Sequence, residues 1–404
     1  MTLITELRAM DFNDYRLTLR EHMAGKECPF PEAEFQRRHK AVLEAMEAAN
    51  LDALLLTAPA DIFYLTGYST FEVSVHTALV FSAHHLVLQV PSIETGPAVA
   101  CTHVEDIQGY RWETVDDILE PLTQALHEAG THIGIDPWHG SLRHGIMSGL
   151  QWRLPDHRFS DAAGLLQGAR IVKSTAELEC LTESARITGL GIEAAAKAIG
   201  VGITDSEIAG IGAKALHAAG SEFMSMQPIV VAGSRSAVIH LNHQRRSIAQ
   251  GEPVFLEFGA AWKRYTAPMM RTVVAGEPTP RMHKVFDTCR RIFDAMLEEM
   301  RPGRDFDAAA RAAEKALTPL ASEVFHSGVF GYAVGAQFPP SWVEGSGFIA
   351  RDQRRQFEEN MVFHLPLCLR IPGEWGIGCS DTVRVTESGG VPLTDNPWSL
   401  TADP

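Results

Sequence analysis

The amino-acid sequence predicts an α/β domain over residues 1–165, followed by an α+β domain over residues 166–404. A chain of 404 residues is too long for one ordinary hydrophobic core, which favours two domains. Predicted helices and strands alternate down to about Ala163, as in an α/β domain with a mostly covered sheet. Beyond that point, pairs of helices alternate with strands of antiparallel type, which indicates strands that surround a pocket.

Elements of the first domain follow from apolar spacing and from helix breakers. Pro29 and Pro31 are expected to end an N-terminal helical stretch, and a new helix is expected from about Glu32. The following segments are predicted, in order, to form a strand (LDALLLT), a turn with a short helix (APADIFYLTGY), a β-hairpin (HTALVFSAHHLVLQV), a strand (VEDIQGYRW), a helix (VDDILEPLTQALHEAG) and a strand (HIGIDP).

The second domain begins where the pattern changes, between Ala162 and Ser174, with a strand-like turn. Ser174 and Glu177 have the Ser-x-x-Glu spacing that starts a capped helix, and a second helix is expected to end at Gly220. Two more helices are predicted over PRMHKVFDTCRRIFDAMLEEM and DFDAAARAAEKALTPLA. Strands are predicted over MQPIVVAG, over two parts of PVFLEFGAAWKRYTAPMMRTVVAG, and over MVFHLPLCLR and DTVRVTE.

Composition and charge exclude several functional classes. A net charge of −15 argues against a nucleic-acid ligand, and no run of eighteen apolar residues is present to span a membrane. The N-terminal segment is amphipathic and of mixed charge, unlike a signal peptide. The six cysteines are scattered without a CxxC pair, which predicts reduced thiols and a cytoplasmic protein.

Glu257 is the most informative carboxylate in the chain. It interrupts the apolar run Val254–Leu256, and a carboxylate in a buried strand is costly unless something compensates its charge. One interpretation is a core glutamate paired with Arg271 or Lys263. The other is a site carboxylate at the floor of a pocket.

Several segments together resemble those of the pita-bread family, which contains aminopeptidase P, prolidase, methionine aminopeptidase, creatinase and ectoine hydrolase. RIVKSTAELECLTESARI is similar to the family's junction between domains, and IVVAGSRSAVIH resembles its loop ending in histidine, here His240. The stretch around Glu257 resembles the two metal-binding strands, and GYAVGAQFPP, NMVFHLP and DTVRVTE stand where the last three ligand segments belong. The resemblance covers nearly the whole chain and implies a creatinase-like first domain and a pita-bread catalytic second domain.

The resemblance also implies five metal-ligand positions, and the sequence departs from the ligand set at each one. The family's two Asp, one His and two Glu are replaced, in order, by Glu257, Pro268, Tyr332, His364–Leu365 and Ser380–Asp381. Proline offers no side-chain ligand, and Tyr and Leu do not substitute for His and Glu at a pair of divalent ions. The sequence therefore predicts no dinuclear metal site, no cofactor and no metal-dependent aminopeptidase activity.

Among the metal-free members, the chain resembles ectoine hydrolase, which opens a cyclic amidine. The segments VFLEFGAAWKRYTAPMMRT, GYAVGAQFPPSWVEG and MVFHLP carry this likeness. Creatinase has a glutamate where this chain has Met270, which favours the cyclic amidine over a guanidino acid. Gly378, Asp381 and the segment YSTFEVSVH depart from the ectoine hydrolase pattern and leave the substrate open.

The resemblance assigns catalytic roles to four side chains. Glu257 is expected to act as nucleophile or cation partner and His240 as general acid and base, since an amidine carbon is cationic and needs both. His364 and Asp381 are further catalytic candidates. The structural alternatives are a surface histidine for His240, a core histidine for His364 and a strand-end ion pair for Asp381.

Substrate-binding roles are expected for aromatic residues and one histidine. Tyr265, Tyr332 and Trp342 are candidates in the second domain, with core packing as the alternative. Arg271 is a candidate for binding a substrate carboxylate, or a structural residue.

The likeness to creatinase implies a homodimer in which the first domain of one copy completes the site of the other. The segment expected there holds Tyr68, Phe71, Glu72 and His76. Two other function classes remain open, a metal-dependent Xaa-Pro peptidase and a binding module without catalysis.

Overall fold

The computed structural model describes residues 12–111 and 114–402. The chain divides into two compact units, Met1–Ala169 and Arg170–Pro404. The expectation that the N-terminus is not a signal peptide rests in part on residues 1–11, which lie outside the described residues. Within the described ranges, no helix is both long enough and apolar enough to cross a bilayer.

The first unit is an α/β unit built on one mixed sheet, as the sequence predicts. Its helices are α1 (Phe12–Met23), α2 (Glu32–Ala48), α3 (Pro59–Thr66), α4 (Thr95–Cys101), α5 (Asp116–Ala129), α6 (His144–Arg153) and α7 (Ala163–Ile171), which crosses the unit boundary. Its strands are β1 (Ala53–Leu56), β2 (Ala78–Ser82), β3 (Leu86–Pro91), β4 (Asp106–Tyr110), β5 (His132–Ile135) and β6 (Arg158–Asp161). The strand order is β4-β3-β2-β1-β5-β6, with β2 and β3 forming the predicted antiparallel hairpin.

The second unit has the predicted α+β arrangement. Its helices are α8 (Thr175–Lys197), α9 (Asp205–Ala218), α10 (Pro280–Glu299) and α11 (Phe306–Leu317). Its strands are β7 (Ile229–Ala232), β8 (Pro253–Phe258), β9 (Ala261–Trp262), β10 (Tyr265–Thr266), β11 (Met269–Val274), β12 (Val329–Val334), β13 (Val343–Ala350), β14 (Val362–His364), β15 (Leu367–Ile371), β16 (Trp375–Cys379), β17 (Thr382–Thr386) and β18 (Gly389–Pro392). They form a sheet β11-β8-β7, a sheet β13-β12-β14-β17-β18, and the hairpins β9–β10 and β15–β16, with antiparallel pairing throughout.

Each of the two larger sheets packs a helix pair on one face. Helices α8 and α9 bury apolar side chains against β7, β8 and β11, while α10 and α11 pack with β12, β14 and β17. Helix α8 begins at the predicted capping box: the Ser174 side chain accepts from the backbone of Glu177, whose carboxylate accepts from the backbone of Ser174. Losing such a cap typically costs about 1 kcal/mol.

The second unit contains, near its first residues, a buried cluster of charges that the sequence did not predict. Lys173 Nζ lies 2.7 Å from Glu344 Oε2, and Arg170 Nη2 lies 3.4 Å from Glu344 Oε1. Burial raises the pKa of Glu344, but the two cations and the hydroxyl of Ser346 more than offset this, so its pKa lies below the ordinary value. The family-like residues Arg170 and Lys173 thus serve to neutralise a carboxylate on β13.

Two local expectations were wrong. The segment MVFHLPLCLR forms two strands in different sheets, because Pro366 has no backbone N–H to continue a ladder. His364 consequently ends β14, and the following residues start the hairpin strand β15. The strand-like turn expected near residue 170 is the end of helix α7.

Candidate active site

A cavity of about 250 Å³ lies in the second unit beside the face of the β7-β8-β11 sheet that is opposite the helices. Side chains alternate along β8, so Val254, Leu256 and Phe258 pack toward α8 and α9, whereas Phe255 and Glu257 line the cavity. The polar part of its lining includes Ser236, His240, Glu257, His326, Tyr332 and Arg370.

Glu257 lies at the floor of this cavity between two apolar neighbours. Its cross-strand partners are Met270 on β11 and Ile229 on β7. The Glu257 carboxylate forms no hydrogen bond or ion pair with any residue that the structure describes. Burial raises its pKa to about 8, opposed weakly by the positive charge of Arg370. In the free protein at neutral pH, Glu257 is therefore mainly a neutral carboxylic acid.

The pairing partners considered for Glu257 in the sequence lie elsewhere. Arg271 faces the opposite side of β11, where its guanidinium donates to the backbone oxygen of Thr401 at 2.6 Å and to that of Ala402 at 3.3 Å. The backbone N–H of Lys263 donates to Glu222 in the turn between β9 and β10. Arg271 is thus structural, and Glu257 does not form the core ion pair with Arg271 or Lys263 that one interpretation of the sequence considered.

His240, a catalytic candidate from the resemblance, lines the same cavity as Glu257. It is exposed and has a φ of +57°, a left-handed conformation that few non-glycine residues adopt. Such strain often accompanies a functional position. The nearby His243 bonds instead to the hydroxyl of Ser206, at 3.1 Å.

Tyr332 also lines the cavity and is held from behind by a chain of buried hydrogen bonds. Trp342 Nε1 donates to the Tyr332 hydroxyl at 2.9 Å, and that hydroxyl lies 2.8 Å from His364 Nδ1. His364 Nε2 lies 2.6 Å from Ser380 Oγ, which accepts from the backbone N–H of Met270 at 2.7 Å. Burial lowers the pKa of His364 to about 3, so its ring is neutral and has one donor and one acceptor nitrogen.

Hydrogen-bond balance assigns the tautomer of His364. If Nε2 carried the proton, the hydroxyl proton of buried Ser380 would have no acceptor among the described residues. If Nδ1 carries it, Ser380 donates to Nε2, and the hydroxyl proton left without a described acceptor is that of Tyr332, which borders the cavity and is not enclosed in the core as Ser380 is. Tyr332 then accepts from both Trp342 and His364, and its own proton points to the cavity. His364 therefore acts on the cavity through Tyr332.

Three other predicted site residues are not brought to the cavity. Asp381 accepts from Thr394 Oγ1 at 2.6 Å and from Trp398 Nε1 at 2.9 Å, and burial raises its pKa to about 7. The hydroxyl of Tyr265 donates to Glu177 at 2.8 Å, on helix α8. Trp342 lies behind Tyr332, with its side chain fully buried.

The candidates for the second half of a shared site lie in the first unit. Phe71 is 77% exposed, whereas Tyr68 and His76 are buried within that unit. The Tyr68 hydroxyl donates to Glu94 at 3.4 Å, and burial lowers the pKa of His76 to about 4. Among these residues, Phe71 has the exposure that a contact with a second copy needs.

Sequence reasoning missed Arg370, His326 and Cys368, all of which line the cavity. Cys368 and Arg370 occupy alternate positions of β15 and therefore share one face. This period of two was present in the sequence, but the break at Pro366 was needed to show which sheet the strand joins. His326 stacks on Phe330 with ring centroids 4.3 Å apart.

With this geometry in place, comparisons with known proteins identify the family. The sequence model of metallopeptidase family M24 matches residues 179–387, and that of the creatinase/prolidase N-terminal domain matches residues 38–172. The chain belongs to metallopeptidase family M24. The predicted fold class, a creatinase-like N-terminal domain followed by a pita-bread C-terminal domain, is thereby confirmed.

Within family M24, the chain is similar to proteins with different substrates. It is 25% identical over 395 residues to the ectoine hydrolase of Halomonas elongata, covering 92% of this chain and 98% of that protein. It is 22% identical over 358 residues to the Xaa-Pro dipeptidase of Pyrococcus horikoshii, covering 88% and 96%. The crystal structure of the X-Pro aminopeptidase from Thermotoga maritima superposes with a TM-score of 0.80 at 20% identity, covering 90% of this chain and 99% of that one. The superposition establishes the fold alone.

The M24 name implies a metal centre, and the donors in this chain do not fit one. Across residues 12–111 and 114–402, no three His, Cys, Asp or Glu side chains converge closely enough to hold a metal ion. At the positions that the resemblance assigns to the family's ligands, His364 is hydrogen-bonded to Tyr332 and to Ser380, and Pro268 offers a backbone oxygen that accepts from Thr382. These neutral groups do not provide the carboxylate set that a pair of divalent ions requires.

Proposed function

We propose that this M24 chain is a hydrolase that opens a C–N bond of a small cyclic amidine of the ectoine type, without a metal ion. The observation that carries the proposal is the state of Glu257, a buried carboxylate with no protein partner among the described residues. A cationic ligand would supply the missing opposite charge. The cavity of about 250 Å³ suits a small molecule rather than a long chain.

The reaction that we propose adds water to the amidine carbon and breaks one C–N bond. His240 accepts a proton from the attacking water and passes a proton to the leaving nitrogen, giving an amide and an amine. Glu257 stabilises the cationic carbon as its ionised partner. In an alternative route, Glu257 attacks that carbon itself and water releases the product from the enzyme. Both routes give the same balanced products.

Tyr332 adds a hydrogen-bond donor to this scheme. Because Trp342 and His364 occupy the lone pairs of its oxygen, the Tyr332 proton is available to the cavity. We propose that it donates to the oxygen that adds to the amidine carbon. A preorganised donor at that position lowers the barrier because no dipole has to reorient during the reaction.

Incubation with ectoine, hydroxyectoine and creatine, followed by mass spectrometry, tests the proposal. We expect addition of one water to a cyclic amidine by the wild type and loss of turnover in Glu257→Gln. The exposed Glu374→Gln variant makes the same chemical change away from the cavity and should retain activity. Turnover of creatine instead would favour the creatinase-like alternative. Unchanged turnover in Glu257→Gln would refute the mechanism.

A metal-dependent Xaa-Pro peptidase is the second candidate, favoured by the similarity to Xaa-Pro dipeptidases. For this function, the protein must bind metal and cleave Xaa-Pro dipeptides, and chelation of the metal must abolish the cleavage. Metal analysis of the purified protein, together with a dipeptide assay before and after chelation, separates the two functions. Tight ligand binding with no turnover of any substrate would instead identify a binding module.

We propose further that the enzyme is a cytoplasmic homodimer in which the first domain of one copy contributes to the site of the other. The free state of all six cysteines is compatible with a reducing compartment. The exposed ring of Phe71 is the side chain that supports the shared site. Light scattering gives the oligomeric state. If the site is shared, mixing Phe71→Ala with Glu257→Gln should restore part of the activity that each variant lacks alone.

A further inference from the structure

Arg370 is a half-buried cation in the cavity that the proposed chemistry does not use. It lies on β15 with Cys368, and its cross-strand neighbour is Gly376. Its guanidinium forms no hydrogen bond or ion pair with the residues that the structure describes. One of its nitrogens, Nε, is buried without a partner.

Other buried arginines in the same unit show what a structural arginine looks like in this fold. Arg264 donates to the backbone oxygens of Phe223 and Gln337, both at 2.6 Å, and to the hydroxyl of Ser225. Arg170 donates to the backbone oxygen of Ala336 and lies beside Glu344. The Nε of Arg264 and that of Arg170 are also buried without a hydrogen-bond partner, so Arg370 differs from them in its terminal nitrogens, which bond to none of the described residues.

Glu257 and Arg370 are an acidic group and a basic group that line one cavity and do not pair. The positive charge of Arg370 opposes the rise that burial causes in the pKa of Glu257, yet no salt bridge joins the two groups. Phe255 and Met270 form part of an apolar wall in the same cavity. The arrangement leaves room for a molecule between an acidic group and a basic group.

We propose that Arg370 binds a carboxylate of the substrate, so that the cavity selects a small zwitterion. The cationic end of the zwitterion faces Glu257, and the carboxylate of the zwitterion accepts from the guanidinium of Arg370. The placement of the cationic end rests on the proposed function. Arginine suits this role because its planar fork matches the two oxygens of a carboxylate. Binding of the zwitterion gives both groups an oppositely charged partner, with Glu257 releasing its proton to the solvent.

Two pairs of probes test the carboxylate subsite without requiring turnover. Ectoine is compared with 2-methyl-1,4,5,6-tetrahydropyrimidine, the same ring without its carboxylate, and creatine is compared with 1,1-dimethylguanidine. Isothermal titration calorimetry measures the affinity of each for the wild type and for Arg370→Gln. We expect the wild type to prefer at least one acid over its decarboxylated partner by about tenfold or more, since hydrogen bonds between charged groups contribute at that level. Arg370→Gln should abolish this preference.

Arg281→Gln serves as the matched control, because it removes the same charge from an exposed arginine paired with Glu374. It should leave the preference for the acid intact. The proposal is overturned if the wild type prefers neither acid, or if Arg370→Gln retains the wild-type preference. An Arg370-dependent preference without hydrolysis would uphold the subsite while refuting the proposed function, so the two failures are distinguishable.

Discussion

The hydroxyl oxygen of Tyr332 lies 2.8 Å from Nδ1 of His364, and this bond determines which way the tyrosine proton points. Trp342 donates to the same oxygen, and Ser380 donates to the far side of the imidazole. The neutral ring of His364 thus accepts from Ser380 on one side and donates to Tyr332 on the other, and this order directs the Tyr332 proton to the cavity. The ring of His364 does not line the cavity, whereas that of His240 does.

Tyr332→Phe should lower kcat on a cyclic amidine by about a hundredfold or more, because a positioned donor contributes on that scale. Tyr265→Phe is the matched control: it removes a buried hydroxyl that bonds to Glu177 outside the cavity. Each variant should lose about 1–3 kcal/mol of stability from an unsatisfied group. Steady-state kinetics and urea unfolding separate the two effects. Equal kcat in Tyr332→Phe and Tyr265→Phe would contradict the assigned donor.

The free energy of unfolding should depend on the titration of Glu257. Its folded-state pKa of about 8 is raised above the ordinary value of 4.5, so the folded state holds a proton that the unfolded state has lost. Stability therefore falls as pH rises from about 4.5 to about 8 and then levels off. Glu257→Gln removes this contribution. Urea titrations at intervals from pH 4.5 to 9 should show its stability relative to the wild type rising across that window, by a few kcal/mol in all. A constant difference across the window would show that Glu257 titrates normally.

Binding of a cationic ligand should release a proton from Glu257. At pH 7 the carboxyl is mainly protonated in the free protein, and pairing with a fixed cation favours the ionised form. Calorimetry in buffers of different ionisation enthalpy should give release of nearly one proton per ligand at pH 7 and much less at pH 9. Glu257→Gln should show no such release. Proton uptake at pH 7 would place the cation elsewhere.

Glu344→Gln should lower the free energy of unfolding by about 3–5 kcal/mol, because it leaves Lys173 and Arg170 buried without their carboxylate. Urea unfolding measures this loss. The folded-state pKa of Glu344 is lowered, so its contribution is present above the ordinary pKa and is lost as the pH falls below it. Glu374→Gln, in an exposed pair with Arg281, should change stability little. Equal stability of the two variants at pH 7 would show that the buried cluster is not stabilising.

The order of elements could be predicted from the sequence because it depends on local signals. Apolar spacing placed the strand that holds Glu257, and the capping residues Ser174 and Glu177 placed the start of a long helix. The resemblance to known segments made His240 and Tyr332 site candidates together with Glu257, and all three side chains line one cavity. In these cases, short stretches of sequence carried the information.

Long-range pairing was beyond the reach of the sequence. Asp381 is bonded to Thr394 and Trp398, and nothing in the local pattern distinguishes these partners from a substrate. Arg370 was missed because the strand break at Pro366 decides its sheet. A polar residue in a strand reveals that it needs a partner, but not which partner it has.

The hydrogen-bonded chain of Tyr332, His364 and Ser380 also limits how this protein could be redesigned. Introducing one metal-binding side chain at any of these positions would break bonds at its neighbours and leave buried polar groups unsatisfied. Pro268 adds a fourth change, since its ring offers no ligand. A designer who wishes to install a metallopeptidase centre in this scaffold must therefore replace the network as a unit, because each intermediate variant is expected to be less stable than both endpoints.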